Sequence, residues 1–188
     1  DGTPSLIHQN AIKDLLNKAL KAVSDRQKGY YFYGTPGSGK TTFMQLTAYQ
    51  LMLQNPNIQA DEILFGTEAK IVAKIFELSK EEFDWNFQLG INHILKKKRF
   101  IFIDEMGASL FRERELEILD LLIHAIDEDK HEIRLFATSN RKLEELKPQY
   151  LNGDAAERIL SRLYGLILPR PSDSIDYRRI SDQPAKTR

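Results

Sequence analysis

Eight residues, GTPGSGKT from Gly34 to Thr41, constrain this chain most, because a loop of that composition works only between a strand and a helix. Gly34, Gly37 and Gly39 let the backbone turn tightly with no Cβ in the way, so that successive N–H groups can point inward at one anion. Upstream, Gly29-Tyr30-Tyr31-Phe32-Tyr33 is an aromatic run suited to a buried strand. Downstream, Phe43, Leu46, Leu51 and Leu53 recur among good helix formers until Pro56 ends the pattern. Strand, loop and helix together make the octapeptide a P-loop, a cradle for the phosphates of a nucleotide such as ATP. Its candidate binding residues are Gly34, Thr35, Pro36, Gly37, Ser38, Gly39, Lys40, Thr41 and Thr42. Lys40 offers a point charge to the β- and γ-phosphates, and Thr41 a hydroxyl to Mg²⁺.

A chain of 188 residues with 41% hydrophobic content can close one substantial core, so a single domain is expected. Residues 1–28 read as an amphipathic lead-in helix and 29–188 as the phosphate-binding unit. Lysine and arginine (27) balance aspartate and glutamate (27), so no global field points to nucleic acid or membrane. The absence of cysteine excludes disulfides, thiolate metal sites and a cysteine nucleophile, and His8, His93, His124 and His131 are not at zinc-ligand spacing. No apolar run has membrane-spanning length and no secretory signal is visible, so the expectation is a soluble, cytoplasmic protein without a membrane partner. A start at Asp1 in place of Met reads as the start of a fragment.

The remaining pattern alternates strands with helices. Leu6 to Val23 carries one broad apolar face at Ile7, Ala11, Leu15, Ala19 and Ala22, flanked by Ile12, Leu16, Leu20 and Val23. Beyond the P-loop helix, Ile58 to Gly66 reads as a strand, Glu68 to Leu78 and Glu82 to Lys96 as helices, and Arg99 to Ile103 as a strand buried on both faces. Arg112 to Ile126 is predicted helical, Ile133 to Thr138 a strand, Lys142 to Leu146 and Ala155 to Arg162 helices, and Leu163 to Leu168 a last strand. The expected fold class is α/β, a three-layer αβα sandwich around a mostly parallel sheet.

Three further sites carry chemistry. Phe100-Ile101-Phe102-Ile103 ends in Asp104-Glu105, about 64 residues beyond Lys40, and strand ends in open α/β sheets face the ligand crevice. Asp104 suits the metal, directly or through water, and Glu105 suits the base that orients and deprotonates an attacking water. Asn140 closes the following strand, where an amide can bond that water or the γ-phosphate; an asparagine opening a turn is the plainer use. Arg158 and Arg162 lie four apart on one helical face, and by residue type alone they read as a solvated surface. The alternative is a guanidinium offered to a neighbouring subunit's γ-phosphate. Lys96-Lys97-Lys98-Arg99 sits where a helix ends and cations are favoured by the dipole, so single-stranded DNA is only the lesser reading of that run. Phe83, Trp85 and Phe87 suit packing in a core or interface better than stacking on bases.

The set GTPGSGKT, FIDEMG, ATSN and ERILSRL, followed by Asp176-Tyr177-Arg178, resembles the AAA+ ATPases of the bacterial replicative-helicase loader family (DnaC and DnaI) and their transposition relative IstB. The resemblance runs from Tyr30 to Arg179, so that 29–188 would be an AAA+ ATPase domain. It implies a hydrolase that turns ATP and water into ADP and phosphate, acting in DNA replication. Asn140 would be sensor 1, Arg158 and Arg162 the paired arginines after it, and Arg162 the finger. It also implies a homo-oligomer or an AAA+ partner with a shared active site, a replicative helicase as client, and single-stranded DNA as a further contact. About 29 residues precede the first strand, fewer than a helicase-binding region needs, and about 26 follow Arg162, too few for a full helical lid. Alternatives are a ZapE-like ATPase, a transposition helper of the IstB type, a small-molecule P-loop kinase and a non-hydrolysing nucleotide switch.

Overall fold

The computed structural model describes residues 6–24, 29–128, 133–150 and 153–172. The motif Asp176-Tyr177-Arg178, His131, and the side chains of Ile7, His8, Ala11 and Ile12 lie outside the described set. Helix α1 (Leu6–Ser24) leads into β1 (Gly29–Tyr33) and α2 (Lys40–Gln54). Then come β2 (Ile63–Thr67), α3 (Glu68–Glu82), α4 (Phe87–Leu95), β3 (Phe100–Asp104), α5 (Glu113–Glu128), β4 (Arg134–Ser139), α6 (Gly153–Leu166) and β5 (Ile167–Pro171). The five strands form one sheet in the order β2-β3-β4-β1-β5, with every pairing parallel.

Period-two alternation splits each strand between the two layers. Tyr30, Phe32, Phe100, Phe102 and Phe136 face α1 and α2, where they meet Leu15, Ala19, Phe43 and Met44. Tyr31, Ile101, Ile103, Leu135 and Ala137 face the other way, onto the layer of α3 to α6. The aromatic side is stacked: Phe32 on Phe43 with centroids 4.3 Å apart, and Phe102 on Phe136 at 4.8 Å. This is the expected three-layer sandwich, and its parallel sheet brings the loops after β1, β3 and β4 to one edge.

The elements differ from expectation mainly at their boundaries, and the helix expected from Lys142 to Leu146 is a 3-10 helix, Leu143–Gln149. The strand expected from Ile58 begins only at Ile63, because Gln59 and Glu62 close a short 3-10 turn with reciprocal capping bonds. The helix expected from Glu82 starts at Phe87. Helix α3 runs on to Glu82, Asp84 and Trp85 turn left-handed (φ 48° and 66°), and the Asn86 side chain then caps α4 by accepting from Leu89 N–H. The last strand begins at Ile167 and not at Leu163, since Ala156, Ile159, Leu160 and Leu163 form a continuous buried stripe that keeps Leu163 in α6. Strand β5 carries Pro169 and Pro171, which its edge position tolerates.

Candidate nucleotide site

The phosphate loop is built by the backbone. Gly34, Gly37 and Gly39 all have positive φ (154°, 85° and 80°), and Gly39 is the N-cap of α2. A Cβ at Gly34 would stand 1.7 Å from the Ser172 hydroxyl, so the loop and the end of β5 meet there at a separation only glycine allows. Lys40 is the first residue of α2 and is buried; its ammonium donates to the carbonyls of Gly34 (2.9 Å) and Thr35 (2.7 Å), which folds the charge over the loop. The first turn of α2 contributes no acidic residue of its own, so its positive dipole end is available to an anion. Thr35, Pro36, Thr41 and Thr42 are exposed around this cradle, and Ser38 is buried within it.

Two strands away, Asp104 ends β3 in a buried position. Its Oδ2 accepts from the Thr41 hydroxyl at 2.9 Å, and its Oδ1 accepts from the Glu105 N–H at 3.1 Å and from the Thr138 hydroxyl. One hydroxyl and one carboxylate oxygen in contact form a hard-oxygen pair that suits Mg²⁺, an ion that completes its octahedron with water and substrate phosphate. Among the described residues no cluster of three or more His, Asp or Glu side chains stands ready to hold a metal alone.

Glu105 is exposed and adopts a left-handed backbone at φ 58°. A non-glycine residue there costs about 1–3 kcal/mol, and such strain persists only where neighbours impose it. Here they do: Met106 N–H bonds Thr138 carbonyl (2.8 Å), Gly107 N–H bonds the Glu68 carboxyl (2.9 Å), and Ala108 N–H bonds Glu105 carbonyl (3.0 Å). Asn140 is exposed at the end of β4, the strand hydrogen-bonded to both β1 and β3. Its flank is held by Ser139, whose carbonyl accepts from Gly34 N–H and whose hydroxyl donates to Met106 carbonyl (2.6 Å), and by the Tyr31 hydroxyl on Arg141 carbonyl (2.8 Å). Burial pushes the Tyr31 phenol above its ordinary range, which keeps it a donor.

P-loop, Asp104, Glu105 and Asn140 therefore share one sheet edge. Arg158 and Arg162 are instead on α6, both bonded to Asp120 of α5: Arg158 Nε and Nη2 each at 2.8 Å from Oδ2, and Arg162 Nη1 at 2.5 Å from Oδ1. Lys97 and Arg99 pair with Asp61 and Glu62 at the opposite, N-terminal edge of the sheet. Sequence reasoning missed Glu68, Thr138 and Asp120. Glu68 looks like any acid in a first helical turn, and Asp120 like any charge on an amphipathic helix; only Thr138, one residue before Ser139-Asn140 at a strand end, carried a positional hint.

Comparison with known proteins bears on the fold that carries these residues. Over 147 residues the chain is 26% identical to the proteasome-activating nucleotidase of Methanococcus maripaludis, covering 71% of this chain and 32% of that protein, so it spans about a third of that relative's length. The crystal structure of DnaI superposes with a TM-score of 0.66 at 18% identity, covering 91% of this chain and 87% of the other. That of the DnaC helicase loader gives a TM-score of 0.67 at 17% identity, covering 91% and 93%. These likenesses are of fold. The model of the ATPase family associated with various cellular activities (AAA) matches residues 30–163, from β1 into α6, and the chain belongs to that family.

Proposed function

We propose that this chain binds ATP with Mg²⁺, hydrolyses it at a site completed by a second AAA+ subunit, and uses the cycle to remodel a partner protein on DNA, its task being to load a replicative helicase. The observation that carries the nucleotide reading is the 2.9 Å bond from Thr41 to Asp104, which joins the phosphate loop to the acidic strand end two strands away. Lys40 exchanges its bonds with the Gly34 and Thr35 carbonyls for β- and γ-phosphate oxygens. Thr41 and Asp104 would hold Mg²⁺, whose charge offsets that on the phosphate oxygens. Glu105 orients a water and takes its proton on the carboxylate, Asn140 donates its amide to the γ-phosphate side, and Arg162 reaches the nucleotide of a neighbour, with Arg158 beside it. The reading of a lead-in helix that forms a single domain with the ATPase unit is supported by Leu15 and Ala19 of α1, which share a core with Phe32 and Phe43.

The name of the Methanococcus relative, a nucleotidase, supports hydrolysis over transfer to a metabolite. Glu105→Gln is expected to keep ATP binding, read by fluorescent-nucleotide titration, while turnover falls about 100-fold or more. Turnover at the wild-type rate would remove Glu105 from the mechanism. For the client, an ATP-dependent pull-down from the source cell should recover a hexameric helicase. Recovery of a transposase would favour the transposition-helper role in its place.

A further inference from the structure

The Arg158–Asp120–Arg162 cluster is more than two surface ion pairs. One carboxylate, 14% exposed, serves both guanidiniums, each oxygen taken by a different arginine. Two arginines four apart on a helix repel, and Asp120 between them removes that repulsion. It leaves a net positive charge, and it engages only three of the ten N–H donors that two guanidiniums carry. Asp120 is itself on a rigid support: Leu116, Leu119 and Ile123 of α5 and Ile159 and Leu163 of α6 are buried in one core. The half-buried Arg162 by itself gives the Asp120 carboxylate a charged partner, and the pair with the more exposed Arg158 adds little further stability, so fold stability alone does not explain a carboxylate shared in this way. What remains is two fixed forks with free donors, a geometry suited to the oxygens of a phosphate.

We infer that Asp120 is the positioning residue of the arginine pair, holding Arg158 and Arg162 in the one arrangement that the terminal phosphate of a nucleotide on a second copy of the chain enters. The inference rests on the shared-site reading above. Asp120 touches no nucleotide of its own subunit and acts only through the arginines, so its effect belongs to the subunit that donates them.

That asymmetry gives the test. Lys40→Ala chains cannot use ATP but donate both arginines; Arg162→Ala chains use ATP but lack the arginine that reaches a neighbour. Their mixture should regain turnover that neither has alone. Asp120→Asn added to the Lys40→Ala chain is expected to cut the regained rate about 10- to 100-fold, with nucleotide affinity unchanged. Added to the Arg162→Ala chain, it should leave the rate as it was. Should Asp120→Asn fail to fold, by circular dichroism, Asp120→Ser carries the same comparison. A regained rate that is unchanged or higher with the substitution on the arginine donor overturns the inference. Equal losses in both placements do so too, since they mark a merely structural role. If the parent mixture regains nothing, the shared-site reading falls first.

Discussion

At Glu68 a carboxyl group is 1% exposed and accepts two hydrogen bonds, from Gly107 N–H at 2.9 Å and from the Tyr150 hydroxyl at 2.7 Å. Burial pushes it up to about 7, against a smaller opposing pull from those two bonds. Between its ordinary value of 4.5 and about 7 the folded chain keeps a proton that the unfolded chain has released, so stability falls as pH rises through that window. The full cost, present above the window, is about 3 kcal/mol. Glu68→Gln keeps an acceptor for Gly107, and its amide can donate to the Tyr150 oxygen, so the fold is retained while this slope is lost. Urea midpoints measured from pH 4 to 8 should therefore fall less steeply with rising pH in the variant; identical slopes would show that Glu68 does not titrate in the folded chain as described.

Strand β3 shows how an element couples packing to the site. Its alternation sends Phe100 and Phe102 to the α1–α2 layer and Ile101 and Ile103 to the other, so the strand has no solvated face and Asp104 at its end has little freedom to move. Phe102 is stacked between Phe136 at 4.8 Å and Phe65 at 5.6 Å. Removing that ring opens a cavity in close-packed surroundings, so Phe102→Ala should cost about 3–5 kcal/mol. Chemical denaturation measures this directly, and a loss under about 1 kcal/mol would mean that the layer relaxes around the gap. The junction of α3 and α4 has the opposite character. Gly90 lies where a Cβ would meet the Ser79 hydroxyl at 2.1 Å, and the left-handed Asp84 and Trp85 let the two helices approach that closely.

For the whole molecule the decisive arrangement is that the candidate nucleotide residues and the two arginines occupy separate places. The sheet edge gathers Lys40, Thr41, Asp104, Glu105 and Asn140, whereas Arg158 and Arg162 are bonded to Asp120 between α5 and α6. If Arg162 acts on a neighbour, specific activity must rise with protein concentration until assembly saturates. A flat specific activity from nanomolar to tens of micromolar would mean that each chain works alone. The basic run has no place in that scheme. Lys97 and Arg99 have acidic partners at the far edge of the sheet, where chain ends of strands and helix α4 meet. No helix among the described residues is long and apolar enough to cross a membrane.

Much of this was legible in the chain itself, because local chemistry carries it. Glycines at 34, 37 and 39 announce a phosphate loop through backbone freedom that any strand–loop–helix would exploit, and the alternating apolar run before Asp104 announces a buried strand with acids at its end. Element ends were less legible where a side chain decided them: the Gln59–Glu62 capping and the Asn86 cap moved two starts, and the buried stripe of α6 carried the helix past Leu163. What only the tertiary structure decided is which distant groups share a proton, a charge or a hydrogen bond. Glu68 with Tyr150 and Gly107, Thr138 with Asp104, and Asp120 with two arginines join residues dozens of positions apart. Each contact exists because a parallel sheet stacks loop ends from separate crossovers at one edge and packs α5 on α6, and periodicity along a single element holds no record of its neighbour across space.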